Sequence, residues 1–228
     1  MATTCIIIPV KDEEEGLKFL YEDFKNSELY TDSNLSFIFI IDSRTNDASK
    51  DIASKFTNQI IDQESTHGKG AAIRQALELW MLNQTSHVIL MDADGSYSFS
   101  DVSKIMKALR ENHPVVSGSR FLNNGRPDGM SILHNFGNHF LSLICSIKNR
   151  RKISDLCTGL WGFTSEAIIK LNLKAVGFDL EAEIAGKVSK NAFHHHEVQV
   201  NWSARKGGVS KLKSFRDGFL ILYRILRT

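Results

Sequence analysis

The sequence predicts an α/β fold: a mainly parallel sheet with helices on both faces. Three observations carry the prediction. Short β-rich runs alternate with helical patterns over residues 1–120. The runs are continuously apolar, as strands buried on both faces are, rather than alternating with polar residues. Polar or glycine-rich segments follow the strands, where sheets of this kind bind their ligands.

Taken in order, CIIIPV is a first strand and a helix runs from about Glu13 to Asn26; LSFIFIID is a second strand, followed by a helix through Ala53. QIID is a third, with a helix from about Gly70 to Leu82. HVILMD is a fourth, with a helix from Asp101 to Asn112, and PVVSGS is a fifth. Beyond residue 120 two amphipathic helices are expected. In one, Leu133, Phe136, Phe140, Leu143, Ile144 and Ile147 recur at spacings of three and four and lead to Lys148, Arg150, Arg151 and Lys152. In the other, SFRDGFLILYRILRT, Phe215, Phe219, Leu222 and Leu226 form one stripe, with Lys213, Arg216, Arg224 and Arg227 on another. Such stripes suit either a domain core or the headgroup region of an anionic membrane. There is no internal repeat and no low-complexity segment.

The chain has 228 residues, 42% hydrophobic and 24% charged, enough for one sizeable core with a smaller appendage. A net charge of +2 excludes a nucleic-acid binder that relies on a global field. Cys5, Cys145 and Cys157 are odd in number, widely spaced and lack a CxxC pair, which fits a reducing compartment. Lys11 and the acidic run from Asp12 to Glu15 follow Pro9 directly, unlike a signal peptide, and no stretch approaches the roughly 20 apolar residues of a membrane span. The expected location is the cytoplasm, with contact to a membrane from outside.

The stretch VILMDADGSYSF takes a buried strand into Asp92 and Asp94. Alternation along an extended segment puts the two carboxylates on one side, able to reach a common divalent cation and its bound phosphates. Oxygen ligands with no neighbouring Cys or His suit Mg2+ or Mn2+. The competing reading has Asp92 capping the turn and Asp94 solvated. PVKDEEE, IIDSRTND and HGKGAA follow the first three strands and gather at the same sheet edge. The glycines at 68 and 70 let backbone amides approach an anion and Lys69 adds charge, although an ordinary helix-opening turn looks the same.

In this order, PVKDEEE, IIDSRTNDAS, HGKGAAIRQAL, MDADGSYS, GSRF, DLCTGLWGF and RKGGVSKL resemble the successive signatures of inverting GT-A glycosyltransferases of family 2. Within that family the combination is most similar to the dolichyl-phosphate mannose synthase group, which moves a hexose from a nucleotide sugar to a polyprenyl phosphate. The resemblance implies a GT-A sheet with peripheral amphipathic helices, residues 1–120 forming the nucleotide-sugar half and 121–228 the acceptor half of one domain. It implies that Pro9, Glu13 and Asp42 hold the base and ribose of a GDP- or UDP-hexose. By the same resemblance Asp92 and Asp94 bind the metal and the donor's diphosphate, while Arg120, Arg205 and Lys211 face phosphate groups. The chain departs from the family at Lys11 and Asp12, where tyrosine and asparagine are usual, at Ser43 and Arg44, where a second Asp and a Gly are usual, and at Trp161, where many members carry arginine.

The chemistry is consistent with this. Breaking a sugar C1–phosphate bond builds charge on the departing nucleotide, which a cation at Asp94 stabilises. A phosphate monoester acceptor, with a second pKa near about 6, attacks without a strong base. A glycan or protein hydroxyl acceptor would need one, and Asp179, Glu181 and Glu183 are the candidates, against an ordinary acidic helix N-terminus. Two further alternatives are a sugar-1-phosphate nucleotidyltransferase, disfavoured because KDEEE stands where a basic glycine-rich loop belongs, and a non-catalytic module at a membrane surface. Against the latter, converging carboxylates without a cation repel one another. His194, His195 and His196 are expected in a surface turn leading into the strand EVQVNW, and Cys157 as a small apolar filler.

Overall fold

The computed structural model describes residues 2–57, 59–64, 66–123, 125–127, 129–207 and 214–228, with the backbone alone at 214 and 215. Its centre is a seven-stranded sheet: β1 (Thr4–Val10), β2 (Leu35–Asp42), β3 (Ile60–Gln63), β4 (His87–Met91), β5 (Val115–Ser119), β6 (Leu160–Thr164) and β7 (His195–Gln199). The strand order is β3-β2-β1-β4-β6-β5-β7, parallel throughout except that β6 runs antiparallel between β4 and β5. Residues 121–228 therefore contribute to the sheet begun by residues 1–120.

The apolar runs became strands because successive side chains serve opposite faces. Ile6, Ile8, Phe37 and Phe39 enter one core layer with Leu17, Leu20 and Phe99. Cys5, Ile7, Ile38 and Ile40 enter the other with Ile73, Trp80 and Ile184. On the first face lie α1 (Glu14–Lys25), α2 (Ser49–Ala53) and α4 (Phe99–Arg110); on the second α3 (Lys69–Trp80), α6 (Ser165–Leu171) and α7 (Leu180–Lys190). Local chemistry sets the helix starts. Ser98 and Asp101 form a capping box, so α4 begins two residues before the expected Asp101. Gly68, at φ 126°, turns the chain directly into α3 and places Lys69 in its first turn.

The long α5 (Ile132–Asn149) and α8 (Ser214–Arg227) pack on α7 around Cys145, Leu156, Ala182, Ile221 and Ile225. The face that α5 buries is small and polar, namely Asn138, Ser142 and Cys145. Its apolar stripe points outward, Phe136 and Ile147 each being 69% exposed. On α8 Phe219 and Leu226 are exposed too, while Leu222 is half-buried. No helix among the described residues is long and apolar enough to cross a membrane.

The histidine run corrects one expectation. Strand β7 already begins at His195, whose ring bonds Ser117 Oγ at 2.8 Å and stacks on Trp161 at 5.3 Å. Burial pushes its pKa down from 6.5 to about 3. His196 stacks on His113 at 4.3 Å.

Candidate functional site

Strands β1, β2 and β4 all end at one edge of the sheet, and the loops beyond them border a cavity of about 940 Å3. Pro9, Glu13, Asp42, Lys69, Asp92, Asp94, Arg120 and Arg205 all line it; Lys211 lies outside the described residues. The opposite wall comes from α5 and α8, through Leu133, Phe140, Leu141, Phe219 and Leu222. One cavity thus joins a charged end to an apolar one.

The loop carrying the two aspartates is held by close backbone approach. Asp92 N–H donates to Gly159 O at 3.2 Å, and Gly159 N–H donates to the Tyr97 hydroxyl at 2.9 Å. A Cβ on Gly159 would fall 1.9 Å from Asp92 Oδ2, and one on Gly16 would fall 2.4 Å from Ala93 O. Only glycine lets α1 and the residue before β6 come this close. Asp94 Oδ1 accepts from Ser96 N–H at 3.0 Å, while Lys206 N–H bonds the Asp94 carbonyl, so the segment after β7 covers the loop.

Most crevice carboxylates are matched by cations within the chain, which lessens the repulsion expected without a bound cation; Asp94 still disfavours the charged form of Asp92. Asp42 takes a fork from Arg44 at 2.6 and 2.9 Å, with His67 at 3.4 Å and Lys11 at 3.9 Å, and the Arg44 bonds lower its pKa to about 2. Glu13 takes both its oxygens to Arg205, at 2.6 and 2.7 Å. Lys69 Nζ stands 2.6 Å from Asp92 Oδ1 and 2.7 Å from Glu181 Oε1. Burial disfavours that ammonium, but the two carboxylates outweigh it and hold it protonated; burial also pushes Asp92 and Glu181 up, against the pull of Lys69. Among the described residues no basic side chain is paired with Asp94.

Arg120 is committed to the wall rather than free in the cavity. Its guanidinium forks onto Asp155 at 2.6 and 2.7 Å and also bonds the Cys157 carbonyl. Asp155 is fully buried and takes a further bond from Asn138 of α5 at 2.8 Å. Neither Asp155 nor Asn138 stood out in the sequence, where an Asp in DLC and an Asn on a helix face have no distinguishing pattern. Trp161 does not reach the acceptor side of the cavity: it is buried in the second core layer and its Nε1 donates to Thr158 O. Cys157 lines the cavity, with its thiol pushed up to about 12 by burial.

Of the three acidic residues near the start of α7, Glu181 alone lines the cavity. Glu183 accepts from the backbone N–H groups of Lys174 and Ala175, and Asp179 pairs with Arg224 of α8 at 2.6 Å.

A divalent cation fits this donor set. No group of three His, Cys, Asp or Glu side chains among the described residues could cage a metal. Mg2+ and Mn2+ do not need such a cage, since one or two carboxylates and the phosphates of a substrate suffice. Asp94, paired with no cation among the described residues, and Asp92, whose Oδ1 alone meets Lys69, are the residues that would hold it.

Residues 5–171 match the sequence profile of the family described as Glycosyl transferase family 2. Over 228 aligned positions the chain is 28% identical to the glycosyltransferase AglJ of Haloferax volcanii, covering 98% of this chain and 72% of that protein. It is 22% identical to the polyprenol monophosphomannose synthase of Mycolicibacterium smegmatis, covering 92% and 80% of the two chains. In fold it is similar to the glucosyl-3-phosphoglycerate synthase of Mycobacterium tuberculosis crystallised with Mn2+, UDP-glucose and phosphoglyceric acid. There the TM-score is 0.73 at 14% identity, over 99% of this chain and 79% of that one.

Proposed function

The chain belongs to glycosyl transferase family 2, and from that premise we propose that this glycosyltransferase moves a hexose from a nucleotide sugar to a polyprenyl phosphate, with inversion at the sugar carbon. The observation that supports this reading most directly is the single cavity running from Asp92 and Asp94 to the apolar faces of α5 and α8. A water-soluble acceptor has no need of Phe140, Leu141, Phe219 and Leu222 in the wall of its site. Relatives named for dolichol-phosphate and polyprenol mannosyl transfer point the same way.

In this reading the nucleoside lies between Pro9, Glu13 and Asp42, and the diphosphate beside Asp92 and Asp94. When bound there, Mg2+ or Mn2+ supplies Lewis-acid stabilisation of the charge on the departing nucleotide diphosphate. The acceptor phosphate, ionised at neutral pH, forms the new bond to C1 as the old C1–O bond breaks and its electron pair leaves with the diphosphate. No side chain has to remove a proton. Arg205 is the cation that can exchange its Glu13 partner for a phosphate oxygen, whereas Arg120, held by Asp155, shapes the wall. Lys211 belongs to the basic set by the family resemblance alone.

The lipid reading extends to location. Phe136, Leu143, Ile147, Phe219 and Leu226 are exposed on two neighbouring helices, with Arg150, Lys152 and Arg227 exposed on the same two helices and at the end of α5. We assign this face to the cytoplasmic surface of a membrane, on which the enzyme is peripheral. The test is nucleotide release from UDP- and GDP-hexoses with Mg2+ or Mn2+, with and without a polyprenyl phosphate. Release that requires the lipid phosphate supports the proposal; release from a hydroxyl acceptor instead would overturn it.

A further inference from the structure

Glu181 is left without a role by the transfer chemistry, yet it stands at the floor of the cavity. The residue is 8% exposed, and its partner Lys69 bridges it to Asp92. The floor beneath is apolar, built by Pro9, Ile73, Trp161 and Leu180. The bridge joins distant parts of the chain, since Lys69 opens α3 and Glu181 lies in the first turn of α7, 112 residues later. The two elements are locked together. Ala71 N–H donates to Val176 O, and a Cβ on Gly70 would fall 2.5 Å from Ala175 O. Neither side chain is therefore a mobile surface group that found a partner by chance.

The hydrogen bonding of the bridge is incomplete. An ammonium has three donors, and Lys69 gives one to each carboxylate, so one is left for a ligand. A carboxylate has about four lone-pair sites, and among the described residues Lys69 is the one side chain that donates to Glu181. A spare donor beside a spare acceptor, with Asp92 adjoining, is complementary to an alcohol, which both gives and accepts a hydrogen bond. Buried charged groups with unused capacity also discriminate strongly against a ligand that fails to satisfy them.

Resting on the nucleotide-sugar reading above, we propose that Glu181, with the Lys69 ammonium it shares with Asp92, is a specificity-determining residue that binds a hydroxyl of the transferred hexose. It does not act as a base. Asp179 and Glu183, the other carboxylates of that turn, are turned away into bonds with Arg224 and with the α6–α7 connection.

The test measures binding, by calorimetry with Mg2+, of UDP, GDP and a panel of UDP- and GDP-hexoses to the wild-type chain and to Glu181→Gln and Glu181→Asp. The first variant keeps the shape of the side chain and the second keeps its charge, so fold and Lys69 pairing are preserved in at least one of them. Both should bind the parent nucleotide within about twofold of wild type, and the preferred nucleotide sugar roughly tenfold more weakly. Equal weakening of nucleotide and nucleotide sugar, or weakening of neither, would overturn the assignment. So would loss of turnover with donor affinity intact, the mark of a catalytic base. Binding of no nucleotide by the wild-type chain would instead overturn the nucleotide-sugar reading on which the assignment rests.

Discussion

Gly159 and Asp92 share one small volume, and the site depends on the glycine yielding it. With a methyl group 1.9 Å from Asp92 Oδ2, Gly159→Ala must swing the carboxylate away from Lys69. We predict at least a tenfold loss in kcat/KM with the fold retained, measured by donor kinetics and thermal unfolding. Among the described residues Asp94, unlike Asp92, has no basic partner; Asp94→Asn should cost about a hundredfold or more in metal-dependent turnover, and retained activity would remove it from the mechanism. A third residue sets a pH limit on stability. His195 is half-buried and held neutral, with a pKa near 3 against 6.5 unfolded, so between those values the unfolded chain binds the extra proton. Its contribution is present above about pH 6.5 and is lost as the pH falls, by about 2 kcal/mol at pH 5. Denaturant unfolding at pH 7 and pH 5 should show that slope, and His195→Gln should reduce it. In the sequence, Asp92 and Asp94 were legible because two carboxylates ending an apolar run break the pattern. The Lys69–Glu181 bridge was not, because nothing local marks two residues 112 positions apart as neighbours.

Elements with their own periodicity were read closely. The second strand, LSFIFIID, coincides with β2, and most helix ends fall within two residues of expectation. What local pattern does not contain is pairing. LWGFT shows only an apolar run, yet β6 enters the sheet antiparallel between two strands laid down earlier, and this is what brings Gly159 to Asp92. Nor does periodicity say which way a stripe faces. The apolar residues of α5 read equally well as core, but the sheet layers are already closed by other helices, and α5 packs through Asn138, Ser142 and Cys145 instead. If that outward face meets a membrane, Phe136→Asp combined with Phe219→Asp should weaken partitioning onto anionic vesicles by at least tenfold. Both positions are exposed, so stability should hardly change, whereas deleting α8 would also strip Ile221 and Ile225 from a core. Unaltered sedimentation of the double variant with vesicles would contradict the membrane assignment.

At the scale of the whole molecule the sheet brings two kinds of surface into one cavity. Its carboxyl edge gathers Asp42, Asp92 and Asp94 for a charged ligand, while α5 and α8, appended beyond residue 120, extend the same cavity into apolar territory. The internal ion pairs at Glu13, Asp42 and Asp92 neutralise most of that edge and leave Asp94 as its unmatched carboxylate among the described residues. On the proposed function, a nucleotide sugar entering the site would exchange partners with these pairs rather than bring charge to an unmatched edge. The tie between Arg224 and Asp179 fixes α8 to the start of α7, two residues before Glu181, so the proposed lipid and hexose sides meet at one corner of the fold. The central claim is that this corner delivers a sugar to a lipid phosphate. The most direct test is the mass of the lipid recovered after incubating the chain with a nucleotide hexose, Mg2+ or Mn2+ and a polyprenyl phosphate. The account predicts a metal-dependent species heavier by one hexose residue, absent with Asp94→Asn. An unmodified lipid, recovered while the nucleotide is still released or the hexose is found on a hydroxyl, would contradict it.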